Sequence, residues 1–275
     1  LASLQAMTAF KASRLGESLR LALKDSDPAI RKFASSVQVK LDPADRTTAV
    51  MRMIENGSIQ EKQSAFEVLG TLQGRTVDPV LSMWLDRVTT GKAPKELHLE
   101  ILEAAAQRND PLIKSQYDRF SASRAKDSLA YYSEALAGGD AELGKKIFFE
   151  RADVVCLRCH QTGAPGAVGP DLAGVGSRLT REEILESIVF PNARMTPGFE
   201  NLLIKLKDGN SYAGFLRKED AENIYIQSPE DGPLRIPKAE VENLDLGLSA
   251  MPADVASMLT KRDLRNLVEF LASQK

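Results

Sequence analysis

Two cysteines and a histidine within five residues are the part of the chain best suited to chemistry. The 275-residue sequence contains two Cys and two His, and Cys156, Cys159 and His160 stand together in the run C-L-R-C-H. Two thiols three residues apart on a helical turn share one face, and the adjoining imidazole is a common metal ligand. Two cysteines are too few for a disulfide-rich fold. Three clustered Cys and His residues are also too few for a four-ligand zinc site made of Cys and His alone.

The spacing C-x-x-C-H is the attachment motif of c-type haem. In this motif both thiols form thioethers with the haem vinyl groups, and the histidine coordinates the iron. A thioredoxin-type C-x-x-C needs a preceding strand in a βαβ setting, which the sequence does not show. Half a zinc site would need two more ligands, and His98 alone cannot supply them. The sequence therefore predicts one covalent haem c bound by Cys156, Cys159 and His160, with His160 as an iron ligand.

Segments on both sides of this motif resemble the class I cytochrome c family. Residues 139–148 look like the family's N-terminal helix, and residues 264–271 look like its C-terminal helix. The helical pattern from Asp140 continues to the Cys motif, and Thr180 with Glu183 predicts a capping box at the start of a helix over 181–189. The N-terminal and C-terminal helices cross closely in the family. The resemblance implies that Gly144 permits this approach and that Phe148 and Phe270 fill the contact. It also implies a function in electron transfer.

The resemblance implies further residues around the haem. The run G-P-D-L at 169–172 resembles the family's G-P-x-L segment, in which the proline carbonyl accepts the second N–H of the haem-binding histidine. We therefore expect Pro170 to be a cofactor-binding residue, with an ordinary loop proline as the alternative. Arg178 resembles a family arginine that meets a haem propionate, although an exposed arginine without that role is equally open. Phe199 and Tyr212 either line the haem or pack in the core.

A methionine is the expected second axial ligand, because the family carries one on a loop before its last helix. Met251, in the run S-A-M-P, matches this loop and is the expected iron ligand opposite His160. Met195 is the alternative, and Met258 is assigned to the core. The remaining histidine, His98, lies in a helical pattern and is expected to be a core or surface residue.

The class I resemblance covers residues 139–200 and 247–275, and the segment between them differs. Apolar and polar residues alternate there, as in strands. Leu202, Ile204 and Leu206 alternate with residues 203, 205 and 207, which predicts a first strand. Further strands are predicted at 211–216, 223–227, 233–236 and 241–246. The pattern is similar to SH3-like barrels, so we expect a small antiparallel β-barrel-like insertion at about 200–247. With this insertion included, the whole of residues 139–275 resembles the haem-binding module at the C-terminus of large planctomycete and verrucomicrobial proteins, in which helical repeats precede the module.

The N-terminal half has a helical pattern with short polar breaks, and helical periodicity predicts one apolar face in each of the segments 58–70 and 95–106. Helix-opening runs at Asp27, Gly57 and Ala93 recur about 30–35 residues apart, which is the spacing of helix pairs in an α-solenoid. This part resembles HEAT-type repeats, and an ordinary helical bundle is the alternative.

A Gly-Gly pair followed by Asp140 is the expected hinge between two domains. Net charge changes from positive before this point to negative after it. We therefore predict a mainly α, multidomain protein. A HEAT-like α-solenoid occupies residues 1–137, and a class I cytochrome c haem domain with the β-rich insertion occupies residues 138–275.

The amino-acid composition and net charge argue against some classes of binding protein. Hydrophobic residues make up 43% and charged residues 27% of the chain, and the net charge of −2 argues against a generic nucleic-acid or anionic-membrane binder. The sequence opens at Leu1 without a charged segment followed by an apolar one, so we expect a fragment or a mature form. Because c-type haem is attached outside the bacterial cytoplasm, we expect a periplasmic or otherwise exported protein.

The favoured function is an electron-transfer module. It would accept electrons from a dehydrogenase domain or partner and pass them to another electron carrier, so this part of the chain is expected to be a carrier rather than an enzyme. Two alternatives remain open. One is a haem enzyme or a gas or redox sensor with a labile sixth ligand. The other is a helical-repeat interaction scaffold with an auxiliary haem.

Overall fold

The computed structural model describes residues 1–9, 15–41, 43–72, 77–154, 156–160, 169–197, 199, 201–228 and 230–275. These residues form two compact units, Leu1–Glu134 and Ala135–Lys275. The hinge that the sequence predicts at Asp140 falls a few residues inside the second unit, because the chain joins that unit before the Gly-Gly pair.

The first unit consists of helices joined by short connections. They are α1 Ala2–Ala9, α2 Leu15–Ala22, α3 Pro28–Leu41, α4 Pro43–Asn56, α5 Ile59–Thr71, α6 Asp78–Thr89, α7 His98–Ala106 and α8 Pro111–Ala122, with a 3-10 turn at Lys95–Leu97. A further 3-10 turn, Leu129–Ala135, leads into the second unit. Helix α5 packs against α4 and α7, and α6 packs against α7 and α8. The assignment of these helices to a HEAT-like solenoid stays a prediction.

Apolar stripes on α5, α6 and α7 form the main core of the first unit. Phe66, Leu69, Leu81 and Ile101 are fully buried, and Phe66 meets Trp84 edge to face with ring centroids 5.3 Å apart. Such aromatic contacts contribute about 0.5–1.5 kcal/mol beyond the area that they bury. The apolar faces predicted from helical periodicity at 58–70 and 95–106 are therefore the faces that form this core.

The second unit contains the helices α9 Ala141–Glu150, α10 Cys156–Cys159, α11 Val175–Arg178, α12 Arg181–Val189 and α13 Lys261–Ser273, with 3-10 turns at Lys238–Glu240 and Val255–Met258. Capping explains where three of them begin. The Asp140 carboxylate accepts the N–H groups of Glu142 and Leu143 at the start of α9. Thr180 and Thr260 each form a capping box, with Glu183 and Asp263 respectively.

Helices α9 and α13 cross in close contact at a glycine. A Cβ atom placed on Gly144 would lie 1.9 Å from the carbonyl oxygen of Asn266, so no larger residue fits without moving a helix. The rings of Phe148 and Phe270 pack beside the crossing with centroids 5.7 Å apart. The backbone N–H of Asp140 donates to Asn266 Oδ1 at 2.9 Å. The crossing expected from Gly144, Phe148 and Phe270 is confirmed.

Helix α9 is shorter than the sequence analysis suggests. The apolar pattern continues toward Cys156, but the helix ends at Glu150 and Arg151 takes an extended conformation. The Arg151 guanidinium donates to Asp263 Oδ2 at 3.1 Å and to the Met258 carbonyl at 2.9 Å. Since these contacts tie the turn after α9 to the start of α13, the helix containing the cysteines is a separate element.

The segment predicted to be rich in strands forms one antiparallel five-stranded sheet. Its strands are β1 Asn201–Leu206, β2 Ser211–Glu219, β3 Asn223–Ser228, β4 Gly232–Pro237 and β5 Val241–Leu246, in the spatial order β4-β3-β2-β1-β5. Leu202, Ile204, Ile224, Ile226 and Ile236 are buried together on one face. The alternation of apolar and polar residues along β1 therefore correctly predicted which face of the strand is buried.

The connection from β4 to β5 requires the sheet to curl. These strands lie at opposite edges, which in a flat sheet would be about 19 Å apart at about 4.8 Å per strand. The link from Pro237 to Val241 can span only about 14 Å when fully extended. Register shifts at Lys205/Leu206 and Leu216/Lys218 supply extra twist. Closure into a barrel stays a prediction.

Candidate functional site

The short helix α10 carries the three residues that the sequence singles out. Cys156 and Cys159 are free thiols and partly buried. The backbone N–H of His160 donates to the Cys156 carbonyl at 2.9 Å, which extends the helical turn to the histidine. Burial raises the pKa of the Cys156 thiol, because the apolar surroundings disfavour a thiolate. The structure thus brings both thiols and the imidazole to one wall of a single cavity.

The imidazole of His160 is held in place by Gly169 and Pro170, about ten residues further along the chain. Its Nδ1 atom lies 3.0 Å from the carbonyl oxygen of Pro170, which can accept an N–H only from the tautomer protonated at Nδ1. The N–H of Gly169 donates to the Cys159 carbonyl at 3.1 Å. A Cβ on Gly169 would lie 2.8 Å from the imidazole Cε1, so glycine leaves space for the ring. This arrangement leaves Nε2 as the nitrogen free to bind a metal.

The cavity has a volume of about 320 Å³ and is mainly apolar. Helices α9, α12 and α13 supply its floor and walls. The apolar lining includes Phe148, Val154, Leu172, Val175, Leu179, Ile184, Ile188, Pro191, Phe199, Val255, Leu267 and Leu271. A small domain whose helices surround such a cavity has the shape and chemistry to enclose a large flat apolar group.

Both candidate methionines line this cavity. Met251 lies on the segment that leads to the last 3-10 turn, and Met195 lies on the segment after α12. The cavity is therefore lined by one histidine and two methionines, whose imidazole and thioether groups are possible iron ligands. Met258 was assigned to the core, and this assignment is wrong: its side chain is 41% exposed, because the 3-10 turn that carries it turns that residue toward solvent.

The Arg178 side chain, expected to contact a haem propionate, instead binds backbone carbonyls of a nearby loop. Its guanidinium donates to the carbonyls of Asp171, at 3.0 Å, and Ala173, and it supports the loop after Pro170. The described residues that line the cavity do not include it. Contact between Arg178 and a propionate stays a prediction that would need this guanidinium to leave at least one carbonyl.

Two other arginines line the cavity, and sequence reasoning missed both of them. Arg158 lies between the two cysteines, so its place beside the cavity follows from the motif itself. Arg194 lies beside Met195 and pairs with Glu183 Oε1 at 2.6 Å.

The remaining aromatic and histidine candidates divide between the site and the core. Phe199 lines the cavity. Tyr212 packs instead against the apolar core of the sheet. His98 lies in the first unit, where its Nε2 atom is 3.2 Å from the Ala93 carbonyl oxygen, and burial lowers the pKa of its imidazole.

The donor set fits a covalently attached iron porphyrin. Two thiols on one turn suit thioether attachment, and an imidazole whose Nδ1 is engaged by Pro170 offers Nε2 to the metal. Gly169 leaves room at the imidazole edge, and the rest of the lining is apolar. The helical fold and this site together define a haem-binding electron-transfer domain.

Comparison with known families agrees with this class. A family model described as Cytochrome c matches residues 141–275, and this match supports a cytochrome c domain in that part of the chain. The domain binds haem c covalently and functions in electron transfer between partners. A search of the curated proteins returned no match. Cytochrome c domains are typically exported. Within the part of the chain that the structure describes, no helix combines the length and apolar character needed to cross a membrane.

Proposed function

We propose that residues 138–275 bind one haem c through thioethers from Cys156 and Cys159, with His160 and Met251 as axial ligands. In this proposal the domain relays electrons from a dehydrogenase, on the same parent chain or on a partner, to another electron carrier. The haem supplies one-electron redox chemistry at iron.

The observation that carries this proposal is that His160 and Met251 line the same apolar cavity. The Pro170 carbonyl fixes the imidazole tautomer and raises the basicity of Nε2. Two protein ligands leave no open position on the iron, which favours electron transfer over binding of O₂. The apolar walls would keep water away from a bound iron, and a thioether ligand would raise the reduction potential relative to a second histidine.

Substitution of the methionines tests the axial ligands. A methionine thioether on ferric iron gives a weak near-infrared band. We expect the band in the haem-loaded full chain and its loss in Met251→Ala. Met195→Ala is the matched control inside the cavity, and Met258→Ala is a control on the exposed surface. Loss of the band in Met195→Ala, with retention in Met251→Ala, would overturn the assignment of Met251.

Carbon monoxide distinguishes an electron carrier from a sensor or haem enzyme. With Met251 firmly bound, the ferrous full chain should bind carbon monoxide weakly, and Met251→Ala should bind it readily. Ready binding by the unsubstituted chain would support a labile sixth ligand and the alternative function.

The architecture supports a more specific proposal about the parent protein. The sheet lies between the segments that carry Met195 and Met251, and helices precede the haem domain along the chain. This order agrees with the planctomycete and verrucomicrobial haem-binding module preceded by HEAT-like repeats. We place the protein in the periplasm or an equivalent exported location, where c-type haem is attached. Fractionation of cells that express the full parent chain, with detection of covalent haem, tests this location.

A further inference from the structure

The segment that carries Met251 has no helix or strand of its own. It runs from the end of β5 at Leu246 to the 3-10 turn that begins at Val255. A ligand on such a segment can coordinate a metal firmly only if other parts of the fold hold the segment in place. This inference rests on the proposed function, in which Met251 is the axial ligand.

Two consecutive hydrogen bonds connect Met251 to Asn192. The backbone N–H of Ser249 donates to Asn192 Oδ1 at 2.8 Å. The backbone N–H of Met251 donates to Ser249 Oγ at 3.2 Å. Asn192 is thus linked to the backbone of the ligand residue through one intervening side chain, although Asn192 is not itself among the described residues that line the cavity.

Asn192 lies in a hydrogen-bonded turn at the end of the packed helix α12. It follows Pro191, which is buried in the cavity wall at the end of α12. The N–H of Ala193 donates to the Phe190 carbonyl at 2.8 Å and closes the turn that presents Asn192. Helix α12 packs against α13. A hydrogen bond from Ser249 to Asn192 therefore fixes the methionine segment to the helical core.

The other end of the same segment is held independently. The N–H of Gly247 donates to the Asn201 carbonyl at 2.6 Å, and Asn201 Nδ2 donates to the Leu248 carbonyl at 3.2 Å. These bonds continue the pairing of β1 with β5. The Asn201 contacts fix where the segment leaves the sheet, and the Asn192 contact fixes the residues next to Met251.

We propose that Asn192 is a positioning residue that holds Met251 over the cavity through Ser249. A net hydrogen bond of this kind contributes about 0.5–1.5 kcal/mol, and a weaker hold favours replacement of the methionine by an added ligand. Loss of the Asn192 acceptor should therefore raise the affinity of the ferric protein for imidazole without disturbing the fold.

The test compares imidazole binding by haem-loaded full-length variants. Asn192→Leu removes the acceptor at similar volume, and Asn192→Asp keeps an oxygen that can accept the Ser249 N–H. Ser249→Ala removes the second link, from Ser249 Oγ to Met251. Asn243→Leu is the matched control, because Asn243 lies exposed on β5 and donates to Asp245 at 2.6 Å, away from the methionine segment.

We expect Asn192→Leu and Ser249→Ala to bind imidazole about fivefold more tightly and to have a lower reduction potential. Urea unfolding should stay cooperative, with a midpoint lowered by no more than the loss of one hydrogen bond, about 0.5–1.5 kcal/mol, implies. Asn192→Asp and Asn243→Leu should behave like the parent. Equal imidazole affinity and potential in Asn192→Leu and the parent would overturn the inference. If Met251→Ala keeps the near-infrared band, the proposed ligand itself is wrong. If Met251→Ala loses the band while Asn192→Leu changes nothing, only the role of Asn192 is wrong.

Discussion

The imidazole of His160 is fixed by a backbone atom ten residues further along the chain: its Nδ1 atom lies 3.0 Å from the carbonyl oxygen of Pro170. A backbone acceptor cannot lose its charge or change rotamer, so this contact holds one tautomer and one ring orientation. Gly169, just before it, lies so close to the imidazole that a side chain there would displace the ring. The Gly-Pro pair therefore provides both the acceptor and the space that the histidine needs.

Gly169→Ala should disturb this arrangement more than Pro170→Ala does. The added Cβ would lie 2.8 Å from His160 Cε1 and 2.9 Å from Nδ1, which forces the ring or the loop to move. A weaker Nδ1–H bond makes the histidine less basic and destabilises ferric iron, so the reduction potential should rise. The expected change is on the order of 60 mV, or tenfold for a one-electron couple.

Pro170→Ala serves as the comparison because the backbone carbonyl remains as the acceptor. Redox titration of both haem-loaded variants measures the difference. An unchanged potential in Gly169→Ala, at full haem content, would contradict the close contact between Gly169 and His160.

Gly144→Ala should destabilise the second unit strongly. The new Cβ would lie 1.9 Å from the Asn266 carbonyl oxygen and 2.7 Å from the Phe270 Cβ, so α9 and α13 must separate. Overpacking of this kind costs about 1–3 kcal/mol, and the backbone clash puts the expected loss at the upper end.

Chemical denaturation followed by circular dichroism measures this loss. Gly16→Ala is the control, because a Cβ on Gly16 in helix α2 meets nothing within 4 Å. That substitution should leave stability unchanged or raise it by up to about 1 kcal/mol. Equal effects of the two substitutions would mean that α9 and α13 do not cross as described.

His98 should make the first unit less stable in acid. Burial lowers the pKa of its imidazole, while the Ala93 carbonyl and the Glu134 and Glu96 carboxylates partly oppose this shift. The unfolded chain therefore binds a proton below about pH 6.5 more readily than the folded chain does. The contribution of His98 to stability is present above that pH and is lost as the pH falls further.

His98→Gln keeps an amide that can donate to the Ala93 carbonyl but does not titrate. Between pH 7 and pH 5 the free energy of unfolding should fall less in this variant than in the parent chain. A parallel pH dependence in the two proteins would show that His98 does not lose its proton on folding.

Removal of haem should leave the second unit poorly packed. Residues of α9, α12 and α13 line the apolar cavity, and without haem its walls would be wet or would collapse. The full chain with Cys156→Ala and Cys159→Ala, made without haem, should keep helical far-ultraviolet circular dichroism and lose near-ultraviolet signal from the second unit. A sharp cooperative unfolding transition of that unit without haem would contradict this prediction.

Local sequence signals predicted much of the fold and part of the site. The Cys156, Cys159 and His160 spacing determines which atoms share a turn, and the capping box of Thr180 and Glu183 determines where α12 begins. The contact of His160 with Pro170 was expected from the resemblance of the G-P-D-L run to a segment of the cytochrome c family. Each of these features depends on residues close in sequence, or on a close approach that only glycine permits.

Contacts between distant segments could not be predicted in the same way. The turn of Arg178 toward the Asp171 and Ala173 carbonyls depends on the local path of the loop, which the sequence does not specify. The link from Asn192 to Ser249 joins residues 57 positions apart and depends on how the sheet returns the chain to α12. Such side-chain directions follow from tertiary packing rather than from periodicity.

Mass measurement of the intact chain tests the central claim most directly. The full chain should be produced in a bacterial periplasm with c-type haem maturation, unfolded in acid, and weighed beside the variant with both Cys156→Ala and Cys159→Ala. We predict that the parent chain carries the mass of one haem after denaturation and that the double variant carries none. A parent chain with the mass of the bare polypeptide, or a double variant that keeps the added mass, would contradict covalent attachment at these two cysteines.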